Sequence, residues 1–419
     1  MFKKTTWRNI AIFLAVIGPG IITANVDNDA GGIATYSIAG ANYGYKLLWA
    51  MVPIAIALIV VQETASRLGV VTGKGFADLI REHYGIRITF YVMMTLLFVN
   101  LANTMAEFAG WAAALEIFGV TKYISVPIAA VVVWLLVVKG TYRAVEKIFL
   151  IFATIYLTYI VSGLLAHPNW GMAVHDTFIP QLSRGNMNTA YLIALIAVVG
   201  TTIAPWMQFY LQSAVVEKGI KIGQYKATRW DVVVGCIFAN IVAYFIVIAC
   251  AATLYKHGVH VQSAKDAALA LAPLAGRYAT ILFAVGLANA SLFAASILPL
   301  STAYSVSEGM GWEGGVNTTF RSAPQFNWIY TGLIVVGGAA VLIPGVPLIT
   351  ILYASQFLNG LLLPVTMIFA VLLVNKKELM GEHVNGRVYN FIAWGSAIAV
   401  MALSGLLALT TVAPKLLGG

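Results

Sequence analysis

Gly18-Pro-Gly-Ile-Ile-Thr-Ala-Asn-Val-Asp-Asn-Asp-Ala-Gly-Gly32 decides how the chain is read. Apolar, helix-forming sequence lies on both sides, so Asp29 falls in the middle of a predicted membrane span. A carboxylate at bilayer depth costs several kcal/mol unless it is partnered, and such residues are usually functional. The Gly31-Gly32 pair beside it marks a place where the helix is expected to unwind and expose carbonyl oxygens. An acid beside broken backbone at mid-membrane is what a cation site in a secondary transporter requires.

The composition agrees. Of 419 residues, 60% are hydrophobic and 10% charged, against about 25% charged in a soluble domain. This is the composition of an integral membrane protein. The net charge of +9 is explained by topology rather than by nucleic acid, and no cleavable signal peptide is expected after Lys3, Lys4 and Arg8. The two cysteines, Cys236 and Cys250, share one predicted helix about 21 Å apart, too far for a disulfide. The six histidines fall in loops or at segment ends, so none is expected as a mid-membrane ligand.

Hydrophobic windows of about 20 residues mark eleven spans. They lie near 9–41, 46–66, 89–118, 121–139, 144–166, 187–216, 231–255, 278–306, 326–344, 347–375 and 390–412. With the N-terminus inside, 18 of the 25 Lys and Arg residues fall on the inner side and 7 on the outer. That bias predicts a cytoplasmic N-terminus and an external C-terminus. Span 1 is expected to break at Asp29–Gly32 and span 6 at Thr202-Ile-Ala-Pro-Trp206. Breaks five spans apart predict a repeat of inverted orientation, about 9–166 and 187–375, with span 390–412 outside it. Residues 1–419 then form a single transmembrane transporter domain, all-α in class, with no soluble domain.

Asp29 is the expected cation ligand. On a continuous helix Asp27 would point about 200° away, but in unwound backbone both acids can face one cavity. Pro205 removes one helical hydrogen bond. The carbonyls of Thr201, Thr202 and Ala204 then become candidate ligands, and neutral oxygens with a carboxylate suit a hard cation. In span 3, Glu107 and Glu116 face opposite ways, about 180° apart. Glu107 is the pathway candidate and Glu116 the solvated one. Gln356 in span 10 offers an amide oxygen. Gln208, Gln212, Asn100, Asn103, Asn289 and Ser291 are weaker candidates. Met207 lies beyond Pro205-Trp206, and neither break itself holds Met, Cys or His. Oxygen-only shells suit Mg²⁺, Ca²⁺ and Mn²⁺, and Mg²⁺ often keeps several waters.

Several linked motifs, in order, resemble the NRAMP family of divalent-metal transporters. They are Gly18-Pro-Gly20 leading to Asp29, Gly44-Tyr-Lys-Leu-Leu-Trp49, Arg67-Leu-Gly-Val-Val-Thr-Gly-Lys74 and Asp78-Leu-Ile-Arg-Glu-His-Tyr-Gly85. Met105-Ala-Glu107 and Asn375-Lys-Lys-Glu-Leu-Met-Gly381 follow. The resemblance implies a LeuT-like fold of inverted 5+5 repeats plus one span, with metal held between spans 1 and 6. The departures are as informative. The family's Asp-Pro-Gly-Asn reads Asp29-Ala30-Gly31-Gly32 here, so the Asn ligand is lost at Gly32. Its Met-Pro-His reads Ala204-Pro205-Trp206, so the thioether is absent and Trp206 stands where the proton-linked histidine would be. Its Asp-Leu-Ala-Glu keeps only Glu107, and Gln356 matches a family glutamine near the metal.

This pattern resembles the branch of NRAMP-related magnesium transporters. It implies a wider cavity, a partly hydrated ion and transport uncoupled from protons. The reading is then a functional monomer in a lipid bilayer, importing Mg²⁺ and also Mn²⁺, with no resident cofactor, no enzyme activity and no nucleic-acid partner. A prokaryotic inner membrane is the expected location. An ordinary proton-coupled Mn²⁺/Fe²⁺ importer is the alternative. An amino-acid symporter is a third reading, opposed by the repulsion between Asp29 and a substrate carboxylate. A metal-sensing receptor is a fourth, opposed by the lack of a sizeable output domain.

Overall fold

A computed structural model describes residues 18–139, 157–181, 188–262, 266–267 and 279–412. Every regular element among them is helical. Among the described residues, eight stretches are long and apolar enough to cross a membrane, including Leu48–Thr72, Thr189–Glu217 and Leu348–Val374. The predicted spans near 9–41 and 144–166 lie partly outside the described residues. Both cysteines are buried and free.

The first span is two short helices, α1 (Pro19–Val26) and α2 (Ala30–Tyr43). The interruption is Asp27–Asp29, not Asp29–Gly32 as the glycines suggested. Asp29 has extended backbone (φ −66°, ψ −177°), and its Oδ1 accepts the Gly32 N–H at 2.6 Å. A carboxylate N-cap satisfies amides that a helix start leaves unpaired, so α2 begins at Ala30 and both glycines are helical. Their lack of a side chain serves packing instead. Gly31 lies against the Gln356 amide and Gly32 against the Asp27 carbonyl.

Next come α3 (Leu48–Thr72) and α4 (Phe76–Glu116). Gly85, at φ 82°, divides α4, a conformation that glycine adopts without steric cost. The piece beyond it is the predicted third span. The chain continues as α5 (Lys122–Val138), α6 (Leu157–Leu165) and α7 (Trp170–Phe178).

The sixth span is interrupted where expected. Helix α8 (Thr189–Thr202) stops, Ile203 and Ala204 leave helical geometry, and α9 (Pro205–Glu217) starts on its proline. Proline is well placed there because the first turn has no use for its missing N–H. The rest is α10 (Tyr225–Thr253), α11 (Ala279–Met310), α12 (Pro324–Leu342), α13 (Leu348–Val374), the short α14 (Lys377–Met380) and α15 (Arg387–Val412).

Helix α4 packs on α11 and α13, α10 packs on α1 and α2, and α8 packs on α13. Small residues permit these approaches, as is usual for helices packed within a bilayer. A Cβ on Gly20 would stand 2.6 Å from the Val232 nitrogen, and one on Gly200 would stand 2.3 Å from the Gln356 carbonyl oxygen. Asp231, at the head of α10, accepts N–H groups from Gly18 (3.1 Å), Gly20 (2.7 Å) and Ile21 (3.4 Å). One carboxylate thus caps the start of α1 and ties the first span to the seventh.

Candidate metal site between the two breaks

The two interruptions face each other at the centre of the bundle. Asp27, Asp29 and Glu107 are 2%, 4% and 0% exposed. Asp29 is held by its capping bond, and Glu107 comes from α4 to accept the Ala30 N–H through Oε2 at 3.2 Å. The Asp29 and Glu107 carboxyl groups lie within hydrogen-bonding reach of one another. Both are therefore anchored to the first turn of α2, where the helix dipole favours negative charge.

A Cβ placed on Gly32 would stand 2.4 Å from the Asp27 carbonyl oxygen, 3.2 Å from Thr201 Oγ1 and 3.3 Å from Asp29 Oδ1. Three oxygens from both broken spans thus surround the space that any larger residue at 32 would fill. Several of the oxygens here are buried without a hydrogen-bond partner: both Asp27 carboxylate oxygens, Glu107 Oε1 and Thr201 Oγ1. Buried polar atoms are nearly always paired, and leaving them unpaired in an apolar surround costs several kcal/mol. A group of unpaired acceptors, three of them carboxylate oxygens, has the chemistry of a cation site.

The other expected residues are divided by what already holds them. The Thr202 hydroxyl donates to the Val198 carbonyl (2.8 Å) and pairs with the Tyr36 hydroxyl (2.8 Å), so its backbone carbonyl is what remains for an ion. Thr201 has lost the usual carbonyl partner four residues on, because Pro205 carries no N–H. The Ala204 carbonyl begins α9, accepting the Met207 N–H at 3.1 Å and the Gln208 amide at 3.4 Å. Gln356 stands against Gly31 at the break, and its Oε1 accepts from Asn359 (2.8 Å), which exchanges hydrogen bonds with Asn103. Trp206 is buried, tilted against Tyr210, and its carbonyl accepts the Ser301 hydroxyl at 3.1 Å. Glu116 is exposed, on the opposite side of α4 from Glu107.

Of the weaker candidates, Gln212 and Asn100 donate amide N–H groups to the Lys74 carbonyl (2.8 Å) and to the Thr302 hydroxyl (2.8 Å), and their carbonyl oxygens are buried without a hydrogen-bond partner. Sequence reasoning missed Tyr36 and Asp231. Tyr36 carries no signal in an apolar helix. Asp231 does carry one, as an acid at the head of a span.

Among the described residues no three His, Cys, Asp or Glu side chains converge as a preformed metal cluster. The site is built from mixed oxygens: carboxylate, hydroxyl and backbone carbonyl. Such a set fits hard cations and not thiophilic ones.

An all-α membrane protein with opposed breaks in its first and sixth spans is a LeuT-like transporter fold. Residues 20–410 match the family model for natural resistance-associated macrophage protein-like proteins, and the chain belongs to that family, Nramp. It is 26% identical to a divalent metal cation transporter MntH of Deinococcus radiodurans, covering 96% of this chain and 91% of that one. It is also 26% identical to the MntH of Klebsiella pneumoniae, covering 94% of each. The fold is similar to that of an Eremococcus coleocola manganese transporter, with a TM-score of 0.73 at 23% identity over 93% of this chain and 85% of that one.

Proposed function

We propose that the chain imports divalent metal ions, Mg²⁺ foremost and Mn²⁺ as well, uncoupled from proton flow. The ion is bound between the halves of spans 1 and 6 and released by alternating access. Asp29 is the principal ligand. The Thr201 hydroxyl and carbonyl, the Thr202 and Ala204 carbonyls and the Asp27 carbonyl supply neutral oxygens. Glu107 orients Asp29 and offers Oε1 to a bound water. Gln356 joins by releasing Asn359. Gly32 and Trp206 act by shape: the first lets the Asp27 carbonyl, Thr201 and Asp29 oxygens come together with no Cβ between them, the second closes one wall.

The observation that carries this reading is the oxygen-lined space at Gly32. At 2.4 Å from the Asp27 carbonyl oxygen even a Cβ is too crowded there, so a partly hydrated ion enters as the halves of span 1 part, and Mg²⁺ gives up water reluctantly. Met207, the sulfur that follows the second break in sequence, is fully buried beyond Pro205. With no imidazole at the break, inward movement is driven by membrane potential, about 2.3 kcal/mol per charge per 100 mV. The protein works as a monomer, not as an enzyme. It sits in a prokaryotic inner membrane with the N-terminus inside and the C-terminus outside, as the Lys and Arg bias supports.

One observation favours a second reading, proton-coupled Mn²⁺ uptake. Glu107 Oε1 is buried, unpaired and next to Asp29, so a proton could pass between the two acids. The names of the 26% identical relatives are compatible with it. Proteoliposomes loaded with a Mg²⁺-responsive dye and a pH dye separate the two. Mg²⁺ entry without acidification supports the first. Mn²⁺ entry with acidification and no Mg²⁺ entry overturns it.

A further inference from the structure

A second acidic site lies at the far end of α9. Helix α9 starts at the break and ends at Glu217, about 20 Å away along its axis. There a cavity of about 460 Å³ opens between the end of α9, the end of α11, the start of α4 and the loop that follows α11. Four carboxylates line it: Asp78, Glu217, Glu308 and Glu313, with no basic side chain among the described lining residues. The Lys and Arg bias assigns this end to the cytoplasmic side.

The carboxylates are held but not neutralised. Glu308 accepts the Ser213 hydroxyl at 2.5 Å, Glu217 accepts from the Tyr304 hydroxyl, and Asp78 accepts from the Gly75 backbone. Among the described residues no ion pair reaches any of the three. Lys74 and Arg81 act on Asp78 only from a distance: Lys74 is paired with Glu82 at 2.6 Å, and the Arg81 guanidinium is packed against Gly311. An independent feature points to an occupant. Ser307 lines the cavity at 1% exposure with its hydroxyl unpartnered, and Glu308 Oε2 is likewise buried without a partner. Four acids gathered around one cavity with no ion pair to any of them among the described residues repel one another, so a cation stabilises the arrangement.

We infer that this cavity is a second divalent-cation site, of lower affinity than the one at the breaks, which takes the ion with its water shell. The carboxylates do not converge as a cluster for a bare ion, and a 460 Å³ cavity is roomy beside the ~30 Å³ share of one liquid water. The site joins α9 and α11 to the start of α4, so occupancy braces these three ends against one another.

The test uses the full chain in lipid nanodiscs with Mn²⁺ as probe. Asp29→Asn removes the first site, and Arg321→Cys carries a nitroxide label on an exposed residue outside the cavity. The native cysteines are both buried, so labelling is selective. The expected result is saturable Mn²⁺ broadening of the label in this Asp29→Asn background. Adding Glu217→Gln with Glu308→Gln should weaken the apparent affinity about tenfold or more. If that double variant fails to fold, Asp78→Asn, on a half-buried residue, is read the same way. Absence of saturable broadening, or an affinity unmoved by neutralising the acids, overturns the proposal. Because the first site is already disabled, the outcome is independent of which ion the protein transports.

Discussion

The two helix breaks are made by opposite means. The break in span 1 is built from polar side chains: Asp27, Asn28 and Asp29 stand in sequence, all buried, and a carboxylate cap starts the second half-helix. The break in span 6 is built from a proline and neutral backbone, with Ala204 extended and no side-chain cap on α9. One half of the site therefore supplies charge and the other supplies dipoles. The difference teaches how a low-polarity interior can bind a dication without thiolate or imidazole. The charge is confined to the half that the α2 dipole and the Gly32 and Ala30 amides already stabilise, and the partner half adds oxygens that need no counter-ion.

The comparison breaks most visibly at its charged half. Asp29→Ala should reduce Mg²⁺ influx into proteoliposomes more than a hundredfold, about 3 kcal/mol or more, because the ion loses its principal carboxylate ligand. Influx retained within a few-fold would move the site elsewhere.

Gly32→Ala tests whether the close approach of the oxygens matters as much as charge. A Cβ 2.4 Å from the Asp27 carbonyl must push the break apart, at a cost of about 1–3 kcal/mol. Uptake should fall roughly tenfold or more while the folded protein stays monodisperse on size exclusion. Unchanged uptake would mean that the oxygens around Gly32 are not the ion's path.

At the neutral half, Thr201→Val keeps the shape and removes one unpaired hydroxyl. Its loss is worth about 1 kcal/mol, read as a KM for Mg²⁺ roughly fivefold higher with little change in maximal rate. A loss as large as that of Asp29→Ala would abolish the distinction between the halves.

The smallest effect is expected at Glu116. It is exposed on the far side of α4, so Glu116→Gln should leave uptake within twofold, since surface changes away from special features rarely exceed about 0.5 kcal/mol. A large loss there would place α4 differently in the pathway.

Much of this arrangement was legible before any coordinates. Pro205 marks its break unambiguously because a missing N–H acts locally. Glu107 and Glu116 were separated correctly because helical angle is a property of spacing alone. The first break was misjudged by a residue or two, since Gly31 and Gly32 looked like the point of unwinding. They are instead the point of closest packing, and only the position of Gln356, more than 300 residues along the chain, reveals that. The cap from Asp231 onto Gly18 and Gly20 was hidden for the same reason: its partners are more than 200 residues apart.

By itself the sequence determined an apolar helical chain, its membrane character, the broken first and sixth spans and the acid at the first of them. These follow from hydrophobicity, proline chemistry and the cost of a charge in a bilayer, all properties of short windows. Only the tertiary structure decided which oxygens meet. It brought Thr201 to Asp29 across Gly32, set Glu107 on the Ala30 amide, and laid the Gln356 amide against Gly31. It also gathered Asp78, Glu217 and Glu308 around one cavity. Those outcomes depend on helix packing at sub-ångström tolerance between distant segments, where the presence or absence of a single Cβ decides which groups can touch.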